Sequence, residues 1–79
     1  MATVRYFAAA RAATGMETET VPARSLKELV EALELRHGGR LGRVLTACSF
    51  LVDGLSCREP AATLTEASTV DVLPPFAGG

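Results

Sequence analysis

Few side chains in this chain stand at a spacing that suits covalent chemistry. Cys48 and Cys57 are separated by eight residues, which is neither the C-x-x-C of a redox pair nor a zinc spacing, and His37 is the only histidine. Both cysteines read as small apolar fillers, and no disulfide or metal site is expected. The sharper chemistry lies in the backbone at the end, where the chain closes "LPPFAGG". Pro74 and Pro75 cannot continue a sheet and favour an extended polyproline conformation that holds the following residues away from the body. Phe76 and Ala77 are uncharged, so a protein cleft takes them in without desolvating a side-chain charge. Gly78 and Gly79 lack Cβ, so a narrow channel can approach their backbone from every side. What remains at the end is an α-carboxylate. It is a poor electrophile, but adenylation makes it a good one, and a sulfur donor then converts the adenylate to a thiocarboxylate.

The body that carries this end is small. Seventy-nine residues make one domain with a modest core. A core and a deep catalytic cleft compete for so short a chain, which favours a module that works with a larger partner. The net charge is −1, with acidic and basic residues interspersed, so neither a nucleic-acid stripe nor a membrane-binding patch is expected. No stretch is long enough to span a bilayer. The start, "MATVRYF", lacks the charge, apolar run and cleavage site of a signal peptide. A cytoplasmic protein is the expectation.

The elements follow from local pattern. Residues 3–7, "TVRYF", and 17–21, "ETETV", read as strands. Between them, "AAARAAT" is a short helix-former ended by Gly15. Ser25 with Glu28 is a capping box, and Leu26, Leu29, Val30 and Leu33 then recur on one helical face. Gly38 and Gly39 stop that helix. Leu41, Val44 and Leu45 suggest one more helical turn. "SFLV", the Asp53-Gly54 turn and "LSC" make a hairpin, Thr63 and Leu64 pair briefly, and "TVDVL" is the last strand, ended by Pro74. One long helix must cover one face of a mixed sheet. The expected fold is therefore α+β: a β-grasp, ubiquitin-like domain over residues 1–73, with about five strands, one main helix and short extra helical turns. Residues 74–79 form an extended tail, and the first and last strands are central neighbours.

Strand alternation divides the side chains between two faces. Val4, Tyr6, Phe50, Val52, Val70 and Val72 belong under the helix. Arg5, Thr69 and Asp71 belong to a wet face, together with Phe7, Leu51 and Leu73. Three large apolar groups on an otherwise polar face form an expected docking patch.

With "VRYFAAARAATG" at its start and "VDVLPPFAGG" at its end, the chain resembles the ubiquitin-like sulfur carriers, most closely MoaD, the small subunit of molybdopterin synthase, within the MoaD/ThiS superfamily. The resemblance covers essentially the whole chain. It departs at Glu66-Ala67-Ser68, where an Asp-Gly type turn is usual, at Leu73, which is often aromatic, and at Asp53-Gly54, where an Asn-containing turn is common. The resemblance implies that Gly79 is the reacting residue, adenylated by an E1-like activating enzyme of the MoeB type. ATP is used by that partner and no cofactor is bound by this chain. A sulfur transferase supplies the sulfur, and a large subunit of the MoaE type receives it for molybdopterin. Phe7, Arg11 and Leu73 are implied partner contacts. With Leu51 from the alternation and Pro74, Pro75, Phe76, Ala77 and Gly78 from the tail, they make the expected partner-binding set. No side chain here is expected to act as acid or base. Alternative uses of the same end are sulfur delivery for thiamin, cysteine or a secondary metabolite, or attachment to other proteins as a modifier.

Overall fold

The fold was taken from a computed structural model, which describes residues 1–75. The chain runs β1 (Ala2–Tyr6), α1 (Ala8–Thr14), β2 (Thr18–Val21), α2 (Leu26–His37), α3 (Gly39–Ala47), β3 (Ser49–Val52), β4 (Leu55–Cys57) and β5 (Thr69–Leu73). The strand order is β2-β1-β5-β3-β4. β1 and β5 are parallel central neighbours, and every other pairing is antiparallel. This is the ubiquitin-like β-grasp.

The helix caps explain where α2 begins and ends. Ser25 Oγ accepts the Glu28 N–H at 3.2 Å, satisfying one of the first-turn donors that a helix leaves open. The reciprocal half of the box is shifted by one residue, since Glu28 Oε1 accepts from the Arg24 N–H at 3.2 Å. Gly38, at φ 84°, closes α2 with its N–H on the Glu34 carbonyl at 2.8 Å. A left-handed residue of this kind is where glycine is favoured. The pair of glycines does more than stop a helix. It redirects the chain into α3, a nine-residue helix where a single turn was expected. Leu41 and Leu45, one turn apart, are both buried, and their burial outweighs the low propensity of Gly42.

The core holds Val4, Tyr6, Val70 and Val72 from the sheet and Leu26, Leu29, Leu33, Leu41 and Leu45 from the helices. Val30, Phe50 and Val52 pack against it from its rim. Ala10 of α1 is fully buried in the same cluster, and α1 packs beside α3. All three helices therefore lie on one side of the sheet.

Two turns set the far end of the sheet. Asp53 and Gly54 both have positive φ, 50° and 85°, as a two-residue hairpin turn of right-handed twist requires. Asp53 also bonds β5, accepting the Thr69 N–H at 2.9 Å through Oδ1 and donating its own N–H to the Thr69 carbonyl at 2.8 Å. Ahead of β5, Ser68 replaces a glycine-type turn with side-chain bonding. Its Oγ accepts the Thr65 N–H at 2.9 Å, and its N–H meets the Thr65 carbonyl at 3.1 Å. Among the described residues, no helix is long and apolar enough to cross a membrane.

Candidate functional site: the open sheet face at the base of the tail

The parallel pairing of β1 with β5 brings the ends of the first and last strands together. Phe7 N–H donates to the Val72 carbonyl at 3.3 Å, which sets Phe7 beside Leu73. Phe7 lies one residue beyond β1, where strand alternation had placed it inside the strand. It is the N-cap of α1, still extended at φ −125° and ψ 151°, so its side chain keeps the face that a further strand residue would have had. It is 38% exposed, while Leu51 and Leu73 are half-buried. With α1 packed on the helix side, no helix among the described residues lies across this face.

Leu73 links the three apolar groups, beside Phe7 on one side and diagonal to Leu51 of the neighbouring strand on the other. Across the sheet, Arg5 pairs with Asp71 and Asp71 with Leu51, so Asp71 stands between Arg5 and Leu51. Arg5 Nε and Nη2 donate to the two carboxylate oxygens of Asp71 at 2.5 and 2.8 Å. The Arg5 side chain remains half exposed, whereas that of Asp71 is only 10% exposed. Asp71 was expected on a wet face, but the guanidinium above it excludes water. The Asp71 hydrogen bond first, then its charge, hold Arg5 still more firmly in its cationic form. The guanidinium also lies 5.9 Å from the centre of the Phe7 ring, within cation–π range.

Arg11 reaches the same corner. Its Nη2 bonds Glu17 Oε1 at 2.5 Å, with both side chains exposed. Arg5, Phe7, Arg11 and Glu17 line a shallow depression of about 290 Å³. The structure thus brings Phe7, Arg11 and Leu73 together at one end of the face, with Leu51 diagonal to Leu73 on the neighbouring strand and separated from Arg5 by Asp71. Pro74 is buried and Pro75 exposed. The chain therefore stays against the body one residue longer than an extended proline pair implied. Phe76, Ala77, Gly78 and Gly79 lie outside the described residues.

Neither cysteine contributes to this face. Both are free thiols. Cys48 is half-buried, its thiol donates to the Val44 carbonyl at 3.1 Å, and burial pushes its pKa up, which makes it a weaker nucleophile. Among the described residues, no group of three or more His, Cys, Asp or Glu is arranged to hold a metal.

One polar cluster was missed from the sequence. Glu19 is a β2 residue whose side chain is only 5% exposed. It accepts from Arg36 Nη1 at 2.9 Å and contacts His37 Nε2 at 2.6 Å, tying β2 to the end of α2. Burial alone would push the Glu19 carboxyl up. The bonds from His37 and Arg36, with Tyr6 nearby, outweigh it and hold the pKa below its ordinary value. The Tyr6 hydroxyl is buried without a hydrogen-bond partner among the described residues. Burial, and then the Glu19 charge, push the phenol's pKa up. The signal was available: Glu19 pairs with Val4 and shares a face with buried Val21, so alternation turns it inward.

Comparison with protein families gives a match to the ThiS family over residues 4–79. Comparison with curated proteins gives no match. Among solved structures, the fold is similar to a chain in the complex of subunits 1 and 2 of molybdopterin-converting factor from Helicobacter pylori. That match has a TM-score of 0.72 and 26% identity, over 99% of this chain and 97% of that one. It is also similar to a chain of the BexX/CysO complex from Amycolatopsis orientalis, with a TM-score of 0.82 and 21% identity over the full length of both chains. Small archaeal modifier protein 1 from Methanosarcina acetivorans matches with a TM-score of 0.86 and 19% identity, over 99% of this chain and 95% of that one.

Proposed function

Because the chain belongs to the ThiS family, we propose that it is a sulfur carrier whose Gly79 carboxylate is adenylated and then converted to a thiocarboxylate. In this reading an activating enzyme joins the Gly79 carboxylate to the α-phosphorus of ATP and releases pyrophosphate. The outer sulfur of a persulfide donor then attacks the carbonyl carbon and displaces AMP. A second thiol on the partner proteins cleaves the resulting acyl disulfide, leaving the thiocarboxylate on Gly79 and a disulfide on the partners. A larger subunit takes the loaded tail into its active site and passes the sulfur to the pterin precursor of the molybdenum cofactor. The chain is a covalent co-substrate, and the catalytic groups belong to its partners.

The observation that carries the proposal is the meeting of Phe7 and Leu73 on a sheet face that no helix among the described residues covers, just ahead of a sequence ending in Gly-Gly. A partner that grips this face has the terminus within reach. Delivery to molybdopterin is supported by the resemblance to the Helicobacter pylori converting factor, a complex of two subunits. The test is intact mass spectrometry of the protein purified from its own host. A species heavier by one oxygen-to-sulfur exchange at the C-terminal residue is expected. Its absence under conditions where the molybdenum cofactor is being made would sink the proposal, and branched peptides joining Gly79 to lysines would replace it with protein modification.

A further inference from the structure

We infer that the Arg5–Asp71 pair is a recognition element of the docking face, in which Asp71 fixes the guanidinium and Arg5 offers its outer edge to a carboxylate on the activating enzyme that adenylates the tail. The inference rests on the sulfur-carrier reading and names the chemistry its partner must carry. A guanidinium has five N–H groups. Two of them are held by Asp71, and the other three have no acceptor among the described residues. In the free protein these three face water, since the Arg5 side chain is half exposed.

The tail dictates that this edge becomes covered. Six residues follow Leu73, and fully extended they span at most about 20 Å. A protein that draws Gly79 into its interior must therefore rest close to Leu73. Asp71 precedes Leu73 by two residues on the same face, and Arg5 lies directly across from Asp71. Covering the three N–H groups without acceptors would leave charged donors desolvated, which is strongly unfavourable. A carboxylate meets two of them in parallel. The guanidinium would lie between the incoming carboxylate and Asp71, which separates the two anions. Arg11, on the rim of the same depression, is compensated by Glu17 beside it, which leaves Arg5 to supply the contact.

A structural role and a recognition role make different predictions for paired substitutions. In the double variant Arg5→Met, Asp71→Leu, the buried charge and its partner leave together, so no carboxylate is stranded. In Arg5→Asp, Asp71→Arg, the ion pair is kept but the exposed cation moves to the neighbouring strand. Binding of each to the E1-like activating enzyme of the same host is measured by calorimetry, in low salt and in about 1 M salt, where the screening length falls to roughly 3 Å. Both variants should melt near the parent temperature and bind about tenfold more weakly in low salt, with the gap closing to about twofold in high salt. Binding within twofold of the parent by either folded variant overturns the inference, as does a loss that salt leaves unchanged. Phe7→Ala and Leu73→Ala run alongside. If these also bind like the parent, the docking face itself fails, independently of the ion pair.

Discussion

Substituting Val72 by alanine separates the two faces of β5 with one atom-level change. Val72 is fully buried and lies between Tyr6 and Phe50 in the sheet. Two methyl groups are lost, at about 0.8 kcal/mol each in transfer energy. The surrounding side chains relax only partly, so the remaining cavity brings the cost to about 2.5 kcal/mol. For a domain of this size that lowers the melting temperature by roughly 10–20 °C. Phe7→Ala should behave oppositely. Phe7 is 38% exposed, and its loss should weaken binding to the activating enzyme by about thirtyfold, equivalent to about 2 kcal/mol, with a smaller drop in melting temperature. Leu73 is half-buried, so Leu73→Ala should show both effects, which makes Phe7 the cleaner probe. The assay is thermal unfolding by circular dichroism beside calorimetric affinity, measured where every variant is folded. If Phe7→Ala melts as low as Val72→Ala and binds its partner normally, the faces are assigned the wrong way round and there is no docking surface.

Deleting Gly79, or adding one residue after it, should abolish thiocarboxylate formation and leave the melting temperature unchanged, because the reacting carbon is the last carbonyl and its reach is set by tail length; normal loading in intact mass spectra would contradict this. Replacing both Cys48 and Cys57 by serine should leave loading intact, since the thiols are not part of the tail face; loss of loading with a native circular dichroism spectrum would require a cysteine relay. Glu19→Gln should cost about 1.5–3 kcal/mol at neutral pH through weakened charged hydrogen bonds. Because the folded-state pKa of Glu19 lies below its ordinary value of 4.5, the stability it contributes is present above that value and is lost as pH falls through the lower folded-state pKa. The gap between parent and variant in urea midpoint should therefore narrow below about pH 4.5, and a gap that stays constant down to pH 2 would refute the assignment.

What local rules encode was legible in the chain alone. Alternation in "TVRYF" and "TVDVL" placed Val4, Tyr6, Val70 and Val72 in the core because side-chain direction in a strand reverses at every residue. The Ser25 cap and the Asp53-Gly54 turn were equally readable, since each is made by residues only a few positions apart. Features that need distant residues to meet were decided by the tertiary structure. The burial of Asp71 depends on Arg5, 66 positions away in sequence, arriving in parallel register above it. The cluster of Glu19 with Arg36 and His37 requires β2 and the end of α2 to be side by side. The length of α3 came from burial of Leu41 and Leu45 against elements whose position no local pattern states. The placement of α1 had the largest consequence for the site. Its composition predicted a helix but not a side of the sheet, and the seating of Ala10 in the core is what leaves Phe7 at the margin of an open face. Backbone propensity is settled within a few residues, whereas packing is settled by whichever surfaces can exclude water from one another, and that choice is made only when the whole chain is in place.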